Sequence, residues 1–376
     1  MNTIKSALTF SALTAAIASP VFATPANEGF AAQHAVFVMT NNADANEVIA
    51  YEREPNGTLR NARRYQTGGR GSGGTVDPLG SQGSLTLSDD GSYLLAANAG
   101  SGSVSVFRVF GSHLALTDRE PSGGSEPNAV AQHGRLVYVL NTAGSSSVVG
   151  FALRDGRLVR IPDSQRFLSG NFTNSASVAF SPDGRRLVVT ERATNKIDVF
   201  GVQADGKLSQ ITINSAAGTG TFAATFAPNG AVIVSETGGP GPNSSTISSY
   251  AIASDGKLQP ISQTVPTLGA ANCWNAVTPD GRFVYASNAG TSSISGFQIG
   301  GNGSLTPLPG TVVGTNPAGA TNLDIAVSAD GAYLYSLNAA NGSIGIFQIQ
   351  RDGGLTSFGT LGGLPAGAGL NGIAAN

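Results

Sequence analysis

Two glutamates stand where a repeated phrase otherwise ends in asparagine. The phrase is a short β run closed by a polar residue. That residue is Asn42, Asn98, Asn141, Asn288 and Asn338 in five copies, and Glu191 and Glu236 in two neighbouring ones. Asparagine suits left-handed backbone and local hydrogen bonds, so the five asparagines read as turn caps. Glutamate has no such preference. Two carboxylates aimed at one mouth would hold a ligand or a metal, or move a proton. Their mutual repulsion would raise one pKa and make that group a usable acid. Glu191 and Glu236 are therefore the candidate catalytic residues. The competing assignment is two solvated glutamates paired with cations such as Arg192.

Other residues near the same face are candidate binding groups. Arg192 follows Glu191. Asn128 and Ser175 lie near the starts of first strands, as does Asp324. Trp274, the single tryptophan, is either a stacking platform or core. A glycine-rich stretch from Gln66 to Gln82 carries Arg70 and Asp77 and reads as a lid or an unstructured connection. Histidine is missing from this face: His113 and His133 fall at turns on the opposite side, and His34 precedes the first strand. A Ser-His-Asp triad or a histidine-rich zinc site is not expected. Cys273 has no visible histidine partner, and the glycine-rich stretch lacks the Lys-Ser pair of a phosphate-binding loop.

The elements that must position these residues are set by a second, sevenfold phrase. A turn closed by leucine recurs at Leu59, Leu114, Leu158, Leu208, Leu258, Leu305 and Leu355. The mean spacing is about 49 residues, in the range of propeller blades. Each unit also carries a hairpin signal, as in Ser88-Asp89-Asp90-Gly91 or Thr278-Pro279-Asp280-Gly281, followed by apolar runs with a period of two. The expectation is an all-β, seven-bladed β-propeller with four antiparallel strands per blade. The N-terminal unit lacks its first strand, and Leu370–Ala375 supplies the missing pattern. The C-terminal strand is thus expected to pair with the strand near Ala35–Thr40 and close the ring.

Composition narrows the rest. Charged residues make up 12% of the 376 residues and net charge is −2, with no basic run. That excludes nucleic-acid binding, which needs clustered Lys and Arg. Residues 1–23 read as a cleaved signal peptide, 24–31 as a short lead and 32–376 as the propeller. Lys5 opens the signal and Val21-Phe22-Ala23 closes it. A periplasmic or extracellular monomer with no membrane span follows. One cysteine allows no internal disulfide.

Several phrases carry a family resemblance. Ser181-Pro182-Asp183-Gly184-Arg185-Arg186-Leu187-Val188-Val189-Thr190-Glu191, the run Leu95–Phe107 and the Asp-Gly-x-Leu turns resemble the seven-bladed propeller lactonases, such as the propeller-type 6-phosphogluconolactonases and carboxy-muconate cyclases. The resemblance implies lactone-ring hydrolysis without a cofactor, although paired carboxylates leave room for a divalent metal. It places the family's glutamate at Glu191. Asn128 and Ser175 stand where the family carries a histidine and an arginine. Without that cationic half, a neutral sugar lactone or aliphatic lactone suits the site better than a phosphorylated one. The alternative is a non-catalytic propeller that binds a glycan, a metal or a protein partner.

Overall fold

The structure, a computed structural model, describes residues 34–376. The expected signal peptide (1–23) and lead (24–31) lie outside the described residues. Seven antiparallel sheets follow one another around a ring, each with the strand order first-second-third-fourth from the axis outward. Blade one combines Ile373–Ala375, Ala35–Met39, Glu47–Arg53 and Leu59–Gln66. Val36, Phe37 and Val38 pair with Ala375, Ala374 and Ile373, so the C-terminal strand closes the ring. The first strands of blades two to seven are Leu85–Leu87, Pro127–His133, Ser175–Phe180, Thr221–Phe226, Asn272–Val277 and Asn322–Val327. In blade three the outer strand is split: Arg157–Arg160 and Arg166–Phe167 both pair with Ser147–Arg154. Pro162 interrupts it, because proline has no N–H for the ladder.

The repeated turns form for local reasons. Asp90, Asp183 and Asp280 each accept a hydrogen bond from a hydroxyl two residues earlier (Ser88, Ser181, Thr278), all at 2.6 Å. The glycine that follows takes a positive φ, 67° at Gly91 and 70° at Gly281. Apolar faces of the strands pack between blades, and polar staples join neighbours. Tyr138 Oη donates to Gly206 O at 2.7 Å and Tyr285 Oη to Gly353 O at 2.8 Å. Tyr335 Oη repeats the bond to Gly57 O at 2.9 Å across the closure. Buried Arg53 adds an ion pair there with Asp330 at 2.7 Å. Among the described residues, no helix is long and apolar enough to cross a membrane.

Candidate functional site

The first strands of blades three to seven share a defect at their upper ends. Pairing with the second strand slips between Pro127 and Ala129, Ser175 and Ser177, Thr221 and Ala224, Asn272 and Trp274, and Asn322 and Ile325. Such bulges re-aim the extra residue. The released residues are Asn128, Ala176, the Phe222-Ala223 pair, Cys273 and the Leu323-Asp324 pair. Period-two reasoning cannot see this slip, so the expectation for Ser175 falls on the wrong residue, and of the two readings of Trp274 the core one holds. Ser175 pairs with Glu191 and is buried, its Oγ 3.3 Å from Thr142 Oγ1. Trp274 is fully buried core, edge-on to Phe222 with centroids 5.0 Å apart, and no stacking platform.

The glycine-rich stretch is neither lid nor loose connection. Its second half crosses the ring centre as a strap. Ser81 Oγ donates to Asn128 O at 2.6 Å, and Trp274 Nε1 donates to Ser81 O at 2.9 Å. Gln82 N donates to Ala176 O at 2.9 Å. The Gln82 amide makes a reciprocal pair with the Asn275 backbone, both bonds at 3.0 Å. Asn128 donates to Ser175 O at 2.8 Å and to Leu79 O at 3.4 Å, while its Oδ1 has no partner among the described residues. The strap therefore touches blades three, four and six. Arg70 sits in its exposed first half, reaching Gly100 O at 3.4 Å beside blade two, and does not cover the mouth.

Above the strap a small set of ionisable groups converges. Asp77 holds a left-handed backbone, φ 45°, unusual for a residue with a side chain. Its Oδ1 accepts from Gly80 N at 3.1 Å and Asn371 Nδ2 at 3.2 Å. Burial raises its carboxyl to about 7, against the pull of the Arg192 charge. Arg192 is half-buried, with its guanidinium carbon 5.5 Å from the Phe222 ring centroid. Asp324 is buried and accepts from Ile325 N at 3.0 Å and Ile373 N at 3.3 Å. Burial, with the Asp77 charge adding to it, raises its carboxyl to about 8. Burial and Asp77 also push the Cys273 thiol up, which keeps it protonated and a poor nucleophile. The closing C-terminal segment thus holds both carboxyls, one through Asn371 and one through the Ile373 amide.

The two glutamates do not meet at this mouth, which corrects the expectation of a shared carboxylate pair. Each is fully buried in its own slot between blades. Glu191 accepts from Ser169 N at 2.9 Å, Ser169 Oγ at 2.6 Å and Thr194 Oγ1. Glu236 accepts from Gly218 N at 2.7 Å, Ser248 Oγ at 2.9 Å and Thr246 Oγ1 at 2.5 Å. Asn98 fills the same place in blade two, accepting from Asn46 Nδ2 at 3.0 Å and Thr67 Oγ1 at 2.7 Å. The glutamates are clasps between blades, as the asparagines are. In blade one the clasp is Asn41, fully buried and bonded to Ser72 Oγ at 2.9 Å; Asn42 is exposed.

Asp77 and Asn371 were missed as site residues. The available signal was an aspartate inside an otherwise glycine-rich stretch; nothing in the repeat placed either side chain at the centre. On the opposite face, a cavity of about 550 Å³ opens beneath Gln82, with His133 at its edge held 3.2 Å from Asp89. Among the described residues, no three or more His, Cys, Asp or Glu side chains are arranged to hold a metal ion.

Comparison with known proteins bears on this geometry. A family model described as lactonase, 7-bladed beta-propeller, matches residues 24–166, 128–274 and 232–322. An uncharacterised protein of Lactococcus lactis subsp. cremoris is 31% identical over 233 residues, 57% of this chain and 66% of its own length. The chain therefore spans slightly less than two thirds of that relative. Among solved structures, a candidate 6-phosphogluconolactonase of Bacteroides uniformis superposes with a TM-score of 0.69 at 19% identity, over 92% of this chain and 100% of the other. The periplasmic gluconolactonase of Pseudomonas aeruginosa gives 0.66 at 18% identity, over 90% and 98%. At such identities the two structures speak for the fold alone.

Proposed function

We propose that this chain, which belongs to the seven-bladed β-propeller lactonase family, hydrolyses a lactone at the upper mouth with Asp77 as general base. The observation that carries the reading is Asp77 itself. Its carboxyl is raised to about 7 beside a half-buried arginine in the centre of the ring. A base whose pKa lies near the working pH combines a usable ionised fraction with a real affinity for the proton.

The chemistry then needs few groups. Ionised Asp77 takes a proton from water as the oxygen adds to the lactone carbonyl carbon. Arg192 faces the negative charge that develops on the carbonyl oxygen. The tetrahedral intermediate collapses by breaking the ring C–O bond, and the departing alkoxide takes the proton from Asp77. The product is the open hydroxy acid. Arg192 is the one cation of the convergent set, and Asp77 offsets it. A neutral or singly charged sugar or aliphatic lactone suits this balance better than a phosphorylated one. No cofactor enters the scheme. The signal-like residues 1–23 favour action in the periplasm or outside the cell.

The test is turnover of a panel of sugar and aliphatic γ- and δ-lactones by purified protein, followed as acid release. Asp77→Asn should lower kcat/KM by about 10²–10⁴-fold, the usual contribution of a general base. Absence of turnover above buffer on every lactone would overturn the proposal. The missing upper-face histidine favours a second reading, a non-catalytic binding scaffold. Thermal stabilisation by a sugar or a divalent metal, with no lactone turnover, would support that instead.

A further inference from the structure

Blade four departs from its neighbours at a second buried position. Opposite the residue two before the clasp, the third strand carries Ser105 in blade two, Ser248 in blade five and Ser295 in blade six, the uncharged Val149 and Gly345 in blades three and seven, but Asp198 in blade four. The serines bond the clasp: Asn98 Nδ2 donates to Ser105 Oγ and Asn288 Nδ2 to Ser295 Oγ, both at 2.8 Å, while Ser248 Oγ donates to Glu236. Asp198 therefore stands against the Glu191 carboxylate. It is fully buried, and neither of its carboxyl oxygens has a hydrogen-bond partner among the described residues. Two carboxylates in one dry slot cannot both ionise.

We propose that Asp198 is held neutral and donates its proton to the Glu191 carboxylate, so that one shared proton clamps the second and third strands of blade four together and anchors the loop carrying Arg192. The loop is tied to this clamp at both ends. Arg192 follows Glu191 directly, and Thr194 donates to the Glu191 carboxylate. The surrounding charges are few. Lys196 donates to Ser169 Oγ at 3.2 Å and, with the Ser169 amide, pulls toward the ionised form. Arg166 is spent on backbone carbonyls, with Nε 3.0 Å from Leu208 O. Blade three otherwise presents Leu140, Val148 and Leu168, which pack in one cluster with Val189. Burial first, and then Glu191 through the proposed shared proton and its charge, raise the Asp198 carboxyl to about 9.

Unfolded Asp198 ionises near pH ~4, whereas the folded group keeps its proton to far higher pH. Between those limits unfolding releases a proton, so this group's contribution to stability falls as pH rises. The experiment is equilibrium unfolding of the full chain from pH 5 to 10, beside Asp198→Ser and Asp198→Asn. Relative to either variant, the wild-type unfolding constant should rise about tenfold per pH unit up to about pH 8. Parallel pH profiles would overturn the proposal. Should neither variant fold, a ¹³C-carboxyl titration of wild-type protein decides it, because an Asp198 signal titrating in the ordinary carboxylate range contradicts a shared proton. On the lactonase reading, alkaline pH should also raise KM in wild type but not in Asp198→Asn. Only that arm rests on the proposed activity; the unfolding and titration arms stand without it.

Discussion

At the level of single residues, a glutamate in place of an asparagine was visible in the sequence, but its consequence was not. The slot offers hydroxyls and a backbone N–H, from Thr246, Ser248 and Gly218 in blade five. Donors of that kind can bond an amide oxygen or a carboxylate, so the change of residue type did not require a change of role. What fixes the role is burial and the glycine packed over the clasp. A Cβ at Gly218 would lie 2.3 Å from Glu236 Oε2, and one at Gly269 would lie 2.3 Å from the Asn288 side chain. Gly218→Ala is therefore expected to destabilise the fold by about 1–3 kcal/mol, as overpacking does. Its midpoint in urea unfolding checks this. Glu236→Gln should lose some stability while leaving kcat close to wild type, because Glu236 lies apart from Asp77; a large fall in kcat alone would restore it to the chemistry.

At the level of elements, the strand pattern was legible and the strap was not. Alternating apolar residues and Asp-Gly turns report the inside and outside of a strand. A stretch such as Gln66–Gln82 carries no such pattern, and its order comes from partners far away in sequence. Trp274 and Asn275 bond it from 193 residues away. The bulges were hidden for a related reason, since one extra residue inverts the facing of everything before it. Gln82→Ala removes the reciprocal pair with Asn275 and should cost about 1–3 kcal/mol, as expected for two lost part-buried hydrogen bonds. Because the strap supports Asp77, the same variant should raise KM for a turned-over lactone. Unchanged KM with lowered stability would detach the strap from the site.

At the level of the whole molecule, the sequence already implied closure, because the missing first strand of blade one reappears at the C-terminus. Its link to the mouth was not visible: Asn371 holds Asp77, and the Ile373 amide holds Asp324. Ring closure and site assembly are thus one event. Truncation after Gly369 removes the closing strand and both contacts. It should lower Tm by well over 5 °C, since blade one would lose a whole ladder and about 1 kcal/mol goes with each lost hydrogen bond. It should abolish turnover in whatever fraction still folds. Adding back a peptide of residues 370–376 should restore part of both, read by calorimetry and acid release.

On the proposed mechanism a carboxyl at the centre of the ring, Asp77, performs proton transfer on a lactone. The most direct measurement is the pH dependence of kcat/KM for the best lactone, in wild type and in Asp77→Asn. A raised carboxyl that acts as base is inactive when protonated, so wild-type kcat/KM should rise with pH and level off above about 7. Asp77→Asn should lose that ascending limb along with most of the rate. A wild-type profile without the limb, or an Asp77→Asn enzyme that keeps both the limb and the rate, would contradict it.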